Sequence, residues 1–259
     1  MMLHSQGNYG TVEYWDERYK KAKKNLFTEW YCGMRELRPL FDPLPRTASI
    51  IHIGAGNSQL GFQLYDFGFR SIINVDISPE VIANMQQSKM TLSRQGCEWR
   101  VADVTSMAEY GNGQFDISVD KGTLDALMCS AGSAAKVELM FHEISRVLKP
   151  DGGLAMFISF GNHMKRLNHL RFGWHVREQT IDKDGRPYHI YHCTRFPARA
   201  QRPPTAAECG GAAGADPRPP SPPRAAQGPE DAAAPRSPQE HAQEHAQLSA
   251  DPCLAAANS

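Results

Sequence analysis

Apolar runs of strand length alternate with stretches of helical periodicity between residues 49 and 194, and this alternation limits the fold more than any other feature. The predicted strands are 49–53, 72–75, 98–101, 115–119 and 154–160, and the predicted helices are 60–67, 79–85 and 137–148. Alternating strands and helices predict an α/β fold with a mostly parallel sheet and helices on both faces. Two last runs, 174–181 and 188–194, flank a turn-like segment and predict a terminal antiparallel hairpin.

The composition changes abruptly after Phe196. Residues 197–259 contain most of the 18 prolines and no aromatic residue, isoleucine, valine or methionine. Such a segment cannot bury enough apolar surface to offset its ordering entropy, so we expect a disordered tail rich in proline and alanine. Its proline runs also fit a ligand for a proline-binding module. The folded domain is therefore predicted at residues 8–196.

Charge and hydropathy limit the expected partners. Lysine plus arginine and aspartate plus glutamate balance at 28 each, so we expect neither nucleic acid nor an anionic membrane as the primary partner. No run approaches the roughly 18 apolar residues that span a bilayer, and the first ten residues do not resemble a secretory signal. The cysteines are scattered without CxxC pairs, as is typical of free thiols in a reducing compartment. We expect a cytoplasmic, monomeric protein.

Glycines and aspartates follow the first four predicted strands. In a doubly wound sheet, ligands bind beyond the carboxyl ends of these strands, where the strand order reverses. Gly54 and Gly56 follow the first strand and allow a ligand to approach the backbone closely. Asp76 ends the second strand about 20 residues later, at the usual place for an acceptor of ribose hydroxyls. Asp103 and Asp120 end the third and fourth strands.

Two cofactors fit an acidic group at the end of the second strand. A dinucleotide site has the pattern G-x-G-x-x-G, but Gln59 stands at the third glycine position. S-adenosylmethionine carries no phosphate and does not require that glycine. It requires acceptors for its ribose and adenine, which Asp76 and Asp103, with Val104 beside it, can supply. The sequence therefore favours S-adenosylmethionine over NAD.

Six segments carry a resemblance to a known family. They are 14–19 (YWDERY), 29–31 (EWY), 53–58 (IGAGNS), 74–78 (NVDIS), 120–126 (DKGTLDA) and 146–150 (RVLKP). Together they resemble the class I S-adenosylmethionine-dependent methyltransferases related to the elongation factor 1-alpha lysine methyltransferases. The resemblance covers about residues 8–196. DKGTLDA is specific to this subgroup, whereas RVLKP is common to many class I methyltransferases.

The resemblance implies a Rossmann-like sheet of seven strands and methyl transfer to a lysine of a protein such as translation elongation factor 1-alpha. The cofactor-binding residues that it implies are Trp15, Tyr19, Trp30, Gly54, Gly56, Asp76, Ile77, Asp103, Val104 and Lys121. The three aromatic residues would close over the cofactor from the N-terminal segment. Gly54 would face the methionine part, the 76–77 pair the ribose, and the 103–104 pair the adenine.

Asp120 and Lys121 are the predicted catalytic residues. Asp120 and Asp125 are candidates for orienting the amine that receives the methyl group, and Lys121 is expected at the mouth of the site. Two alternatives stay open: Asp125 as an acid that stabilises a helix start, and Lys121 as a solvated charge at the rim. Ala55 replaces a cysteine of most relatives. His52 stands at a strand position that is usually aliphatic in this subgroup and acidic in class I enzymes generally, which weakens any contact with the methionine amino group.

We expect no metal site. His189, His192 and Cys193 are potential ligands, but strand alternation sends neighbouring side chains to opposite faces. A basic cluster in a predicted loop either grips an acidic substrate surface or is solvated. The members of this cluster are His163, Lys165, Arg166, His169 and Arg171.

Two other classes of function stay open from the sequence. A non-catalytic protein would bind a partner through the proline-rich tail, although the intact residues at the strand ends argue against it. A small-molecule methyltransferase has no sequence feature that separates it from a protein methyltransferase, because acceptor specificity lies in loops.

A chain that ends at Phe196 tests the predicted domain boundary. It keeps both strands of the predicted hairpin and removes only residues too polar and proline-rich to pack. We expect its midpoint of thermal unfolding and its turnover on a supplied acceptor to equal those of the full chain. A large drop in the midpoint would show that the tail packs on the domain.

Overall fold

The structure, a computed structural model, describes residues 9–21, 27–130, 132–160, 163–170, 173–183 and 185–195. The predicted tail at 197–259 and Arg171 of the basic cluster lie outside these ranges. The strands are β1 (Ser49–Ile53), β2 (Ser71–Asp76), β3 (Cys97–Val101), β4 (Ile117–Lys121), β5 (Leu154–Ser159), β6 (Trp174–Lys183) and β7 (Arg186–Arg195). The helices are α1 (Val12–Lys21), α2 (Met34–Phe41), α3 (Leu60–Asp66), α4 (Pro79–Gln86), α5 (Lys89–Leu92), α6 (Thr123–Met128), α7 (Ser133–Val147) and α8 (His163–Leu170).

The seven strands form one sheet in the order β3-β2-β1-β4-β5-β7-β6. The first five strands pair in parallel, and β7 pairs antiparallel with both β5 and β6. This arrangement confirms the predicted Rossmann-like α/β sheet with its terminal antiparallel hairpin. The strand order reverses between β1 and β4, so a ligand is expected beyond the carboxyl ends of β1, β2 and β4.

Helices cover the sheet on both faces because the central strands are apolar on both sides. On one face, Ile50 of β1 belongs to a core with residues of α2, α3 and α4. On the other face, Ile51 and Ile53 belong to a core with residues of α6, α7 and α8. Within the described ranges, no helix combines the length and apolar composition that a membrane crossing requires.

Two helices form as the local sequence predicts. Ser78 precedes α4, its side chain accepts a hydrogen bond from the Val81 backbone N–H at 3.3 Å, and Pro79 occupies the first helical position. In α7, the predicted apolar stripe is buried at Val137, Met140, Phe141, Ile144 and Val147. Capping chemistry therefore locates the start of α4, and apolar periodicity locates α7, although α7 begins at Ser133, four residues before the predicted start.

Three local predictions differ from the structure. β4 begins at Ile117 rather than at 115, although the Asp116 backbone still bonds to Ser49 of β1 and Leu154 of β5. The basic cluster was expected in a loop but lies largely on α8, which forms because Arg166, Leu167 and Leu170 share one buried face. The hairpin strands also extend further than predicted, to 183 and from 186.

Candidate active site

One pocket of about 860 Å³ opens at the carboxyl ends of β1, β2 and β4. The lining includes all ten residues that the resemblance implies for the cofactor: Trp15, Tyr19, Trp30, Gly54, Gly56, Asp76, Ile77, Asp103, Val104 and Lys121. Asp120, the other predicted catalytic residue, is not among the lining residues.

Gly54 and Gly56 turn the chain after β1 in a conformation that other residues rarely adopt. Their φ angles are +57° and +51°. A Cβ atom on Gly54 would lie 1.8 Å from Oγ1 of Thr123, and one on Gly56 would lie 2.5 Å from the Tyr19 hydroxyl oxygen. Both positions therefore require glycine, because a side chain would clash with Thr123 or Tyr19 in the pocket wall.

Asp76 links the ends of β1 and β2. Its Oδ2 accepts from the Gly56 backbone N–H at 2.8 Å, and its Oδ1 accepts from the Ser78 backbone N–H at 3.0 Å. Burial raises the pKa of Asp76 to about 6, although the backbone N–H donors oppose this shift. Each carboxylate oxygen keeps further acceptor capacity. Asp76 is thus placed and oriented to accept hydrogen bonds from the two hydroxyls of a ribose.

Asp103 and Val104 form the wall next to Asp76. Oδ1 of Asp103 accepts from the backbone N–H and the hydroxyl of Thr105, at 2.8 and 2.7 Å. These contacts fix the carboxylate, while its Oδ2 remains to accept from a ligand. Val104 is buried and supplies apolar surface. An acceptor beside an apolar wall suits an adenine with its amino group.

The N-terminal segment covers this pocket with aromatic rings. Trp15 and Tyr19 of α1 stack with ring centroids 5.9 Å apart, and Trp15 lies 5.9 Å from the ring of Trp30. The carboxylate of Asp16 accepts a hydrogen bond from the Ser78 hydroxyl at the start of α4. The aromatic rings are therefore held next to the ribose acceptor, Asp76, which lies two residues before Ser78.

Glu29 fixes the same segment to the sheet. Its carboxylate accepts from the Ser58 hydroxyl at 2.8 Å and the Gln59 backbone N–H, and it pairs with the ammonium of Lys121 at 2.9 Å. The Lys121 side chain is 3% exposed and also donates to the Trp30 backbone oxygen at 3.1 Å. Lys121 is therefore a buried, paired cation in the pocket wall and not a solvated charge at the rim.

The same contacts decide between the two cofactors. A dinucleotide places its pyrophosphate at the N-terminus of the helix after β1. In this chain that helix is α3, and the N–H groups at its start already bind the Glu29 carboxylate and the Ser58 hydroxyl. A second anion at that place would be repelled by Glu29. A cofactor without phosphate fits the site, and a dinucleotide does not.

His52 offers a neutral acceptor where class I enzymes generally have an acid. Burial, helped by the positive charge of Lys121, lowers the pKa of His52 to about 4, so the ring is neutral near pH 7. Its Nδ1 lies 3.1 Å from Oδ1 of Asn74, whose amide nitrogen donates to the Glu98 backbone oxygen. Nδ1 of His52 therefore carries the proton, which makes Nε2 an acceptor.

Asp120 lies below the pocket wall and caps α6. Its Oδ1 accepts from the Thr123 backbone N–H at 2.8 Å, and its Oδ2 accepts from the Leu124 backbone N–H at 2.9 Å. Burial raises the pKa of Asp120 to about 7, against these backbone donors. These contacts show that Asp120 stabilises the start of α6. Its contact with an incoming amine stays a prediction.

Asp125 is neither a surface acid nor a pocket residue. Its carboxylate accepts from the Tyr31 hydroxyl at 2.6 Å, the Ser159 hydroxyl at 2.6 Å, the Phe160 backbone N–H at 3.0 Å and the Arg166 guanidinium at 2.7 Å. These donors come from the N-terminal segment, the end of β5 and α8. Asp125 thus joins three parts of the chain behind the pocket.

Several pocket residues were not among the predicted site residues. They include Tyr9, Thr28, His52, Thr123 and Leu127. Thr123 belongs to the motif DKGTLDA, so the sequence could have identified it as a pocket residue. Tyr9 and Thr28 carry no local signal, because only the path of the N-terminal segment brings them to the strand ends.

Comparisons with known proteins agree with this geometry. A family model described as a methyltransferase domain matches residues 46–183. EEF1A lysine methyltransferase 4 of Mus musculus is 33% identical over 195 residues, which cover 71% of this chain and 74% of that protein. The eEF1A lysine and N-terminal methyltransferase of Homo sapiens is 36% identical over 188 residues, and the match covers 70% of this chain but 26% of that protein.

A solved structure extends the comparison to the fold. The TehB-like SAM-dependent methyltransferase of Corynebacterium glutamicum superposes with a TM-score of 0.50 at 18% identity, covering 71% of this chain and 98% of that one. The fold and the pocket define an enzyme that transfers a methyl group from S-adenosylmethionine. The chain belongs to the class I S-adenosylmethionine-dependent methyltransferase family related to the eEF1A lysine methyltransferases.

Replacement of Asp76 tests the ribose contact. Asp76→Ala removes the carboxylate that faces the pocket, and we expect the affinity for S-adenosylhomocysteine to fall by about 1.5–3 kcal/mol, the scale of hydrogen bonds to a charged group. Calorimetry measures the affinity, and circular dichroism checks that the variant is folded. A folded variant with unchanged affinity would sink the assignment.

The raised pKa of Asp76 also predicts a pH dependence. Below a pKa of about 6 the carboxyl group is protonated and must release its proton before it accepts from both ribose hydroxyls. The affinity for S-adenosylhomocysteine should therefore decrease as the pH falls from 7.5 to 5, approaching about tenfold per pH unit below the pKa. In Asp76→Asn this dependence should disappear. Equal slopes in both proteins would assign the titration to another group.

Replacement of Glu29 tests the attachment of the N-terminal segment. Glu29→Gln keeps the shape but leaves the buried Lys121 ammonium unpaired, so we expect about 1–3 kcal/mol less free energy of unfolding and a weaker affinity for S-adenosylhomocysteine. Urea unfolding and calorimetry measure the two effects. The matched control is Glu17→Gln, which breaks an exposed pair with Lys21 and should change neither quantity. Identical results for the two variants would contradict the proposed attachment.

Proposed function

We propose that this methyltransferase modifies the ε-amine of a lysine on a folded protein such as a translation elongation factor. The supporting observation is the similarity, over about 70% of the chain, to relatives whose names include eEF1A lysine methyltransferase. The segment 120–126, on which the resemblance chiefly rests, contributes Lys121, Gly122 and Thr123 to the pocket lining. The acceptor would meet the methyl group beside this segment.

The chemistry of the pocket is consistent with an amine acceptor. The cofactor supplies an electrophilic methyl group on a sulfonium, so the chain has to orient the nucleophile and exclude water. Trp30 and Tyr31 pack against Gly122, where a Cβ atom would lie 3.4 and 3.3 Å from their rings. These apolar rings disfavour a charged ammonium in this region. A lysine that enters this region would therefore lose its proton more readily and become nucleophilic.

Three further expectations belong to this proposal. The partner is a protein and not a nucleic acid or a membrane, in line with the balanced charge of the chain. The enzyme acts in the cytoplasm, in line with its scattered cysteines. We also expect the enzyme to act as a monomer.

A labelling experiment tests the acceptor. Cell lysate is incubated with the purified chain and S-adenosylmethionine labelled in its methyl group, and Asp76→Ala serves as the binding-deficient control. We expect a labelled protein band that is lost with the control, and mass spectrometry should place one or more added methyl groups on lysine. Label confined to a small metabolite, to histidine or to a protein amino terminus would reject the lysine acceptor and leave the methyltransferase assignment intact.

Asp120 can be tested as a positioning residue for the same reaction. Because it caps α6, Asp120→Asn should displace the pocket wall at 121–123, and we expect turnover to fall much more than the affinity for S-adenosylhomocysteine. The free energy of unfolding should fall as well, since one backbone N–H loses its acceptor. Lost turnover with unchanged stability would instead support direct contact with the amine, as the sequence predicts.

A further inference from the structure

A cluster of two histidines and a glutamate lies outside the cofactor pocket. His163 is the first residue of α8, Glu178 lies on β6 and His189 lies on β7. Oε1 of Glu178 lies 2.5 Å from Nδ1 of His163 and 3.0 Å from Nδ1 of His189. One nitrogen from each ring and one carboxylate oxygen all lie within 4.8 Å of one another. The three side chains converge on one point.

The strand register explains how the hairpin supplies two members of this cluster. Glu178 pairs with Tyr191, and Thr180 pairs with His189, so Glu178 and His189 are diagonal neighbours on one face of the hairpin. The helix α8 covers this face, since Leu167 and Leu170 share a core with Tyr191 and Cys193. His163 reaches the cluster from that helix.

The donor atoms match the preference of a particular kind of cation. Two imidazole nitrogens and one carboxylate oxygen form a ligand set that Zn²⁺ uses, with a fourth position for water. In tetrahedral coordination with Zn–N bonds of about 2.0–2.1 Å, the centroids of two ligating imidazoles lie about 5 Å apart. The centroids of His163 and His189 are 5.2 Å apart. The ligand atoms would separate by less than about 1 Å to reach such coordination.

A buried hydroxyl beside the cluster also lacks a hydrogen-bond partner among the described residues. Tyr191 is fully buried, and within the described part of the chain its hydroxyl has no hydrogen-bond partner. Its ring stacks on His189 at 6.3 Å between centroids, and it pairs across the strands with Glu178. A buried hydroxyl without a partner carries a cost in free energy. Water on a bound ion would offer such a partner.

We propose that His163, Glu178 and His189 form a binding site for a divalent transition-metal ion of the zinc type, which fixes α8 to the terminal hairpin. The three side chains are 37%, 25% and 19% exposed, so an ion can enter from solvent. The helix also carries Arg166, which donates to Asp125 behind the pocket. The ion therefore has a structural role and strengthens the support of the pocket wall.

Metal titration of the full chain tests this site. The protein is stripped with a chelator and titrated with Zn²⁺ in a calorimeter, with Mg²⁺ as the hard cation that should not compete. We expect one equivalent of Zn²⁺ to bind and to raise the midpoint of thermal unfolding. Glu178→Gln and His189→Ala should each weaken that binding at least tenfold. Co²⁺ in place of Zn²⁺ should give the visible absorption of a tetrahedral site.

His192→Ala is the matched control. His192 lies on the same strand as His189 but faces the other side of the sheet, and it should leave Zn²⁺ binding unchanged. Absence of Zn²⁺ binding, or binding that Glu178→Gln leaves unchanged, would overturn the site. The cluster would then be a hydrogen-bonded group in which one carboxylate oxygen accepts from two imidazoles. Binding of S-adenosylhomocysteine by each variant, measured in parallel, reports independently that the domain is folded.

Discussion

The buried pair of Asp125 and Arg166 is the interaction on which the arrangement around the pocket depends. The two side chains are 2% and 7% exposed, so both charges have lost most of their hydration. Such a pair is tolerated only where further hydrogen bonds satisfy the remaining polar atoms. Tyr31, Ser159 and the Phe160 backbone supply them to Asp125. One carboxylate therefore fixes the relative positions of α6, α8, β5 and the N-terminal segment.

The conformation of Tyr31 shows how much this interaction determines. Its φ angle is +64°, in the left-handed region that residues with a side chain seldom adopt. The ring is buried and packs near Tyr188, with centroids 5.5 Å apart, while its hydroxyl reaches Asp125. Backbone strain of this kind persists only when the surrounding contacts over-determine it. The contact with Asp125 thus fixes Tyr31 in the core, and the two residues that precede it, Glu29 and Trp30, lie at the pocket.

The sequence predicted the parts of the site that depend on local chemistry. The strand ends, the glycines after β1 and the acid at the end of β2 can be recognised in the sequence. Each of them is marked by a pattern of residues that are close to one another in the chain. Glu29 and Lys121 are 92 positions apart in the sequence, so no local pattern predicts that they pair. Arg166 was read as one of several surface cations, since its partner lies 41 positions away in sequence. Asp120 lies near the end of β4, close to its predicted place, but the adjacent helix start takes both of its oxygens.

The charges around the pocket suit a positively charged cofactor. Lys121 would repel a sulfonium, but Glu29 pairs with its ammonium at 2.9 Å and cancels most of that repulsion. His52 is held neutral by burial, so it adds no second positive charge at the end of β1. Asp76 and Asp103 add negative charge along the ribose and adenine side. Loss of the Glu29 carboxylate would thus weaken cofactor binding in two ways. It would free the N-terminal segment, and it would expose the cofactor to the uncompensated charge of Lys121.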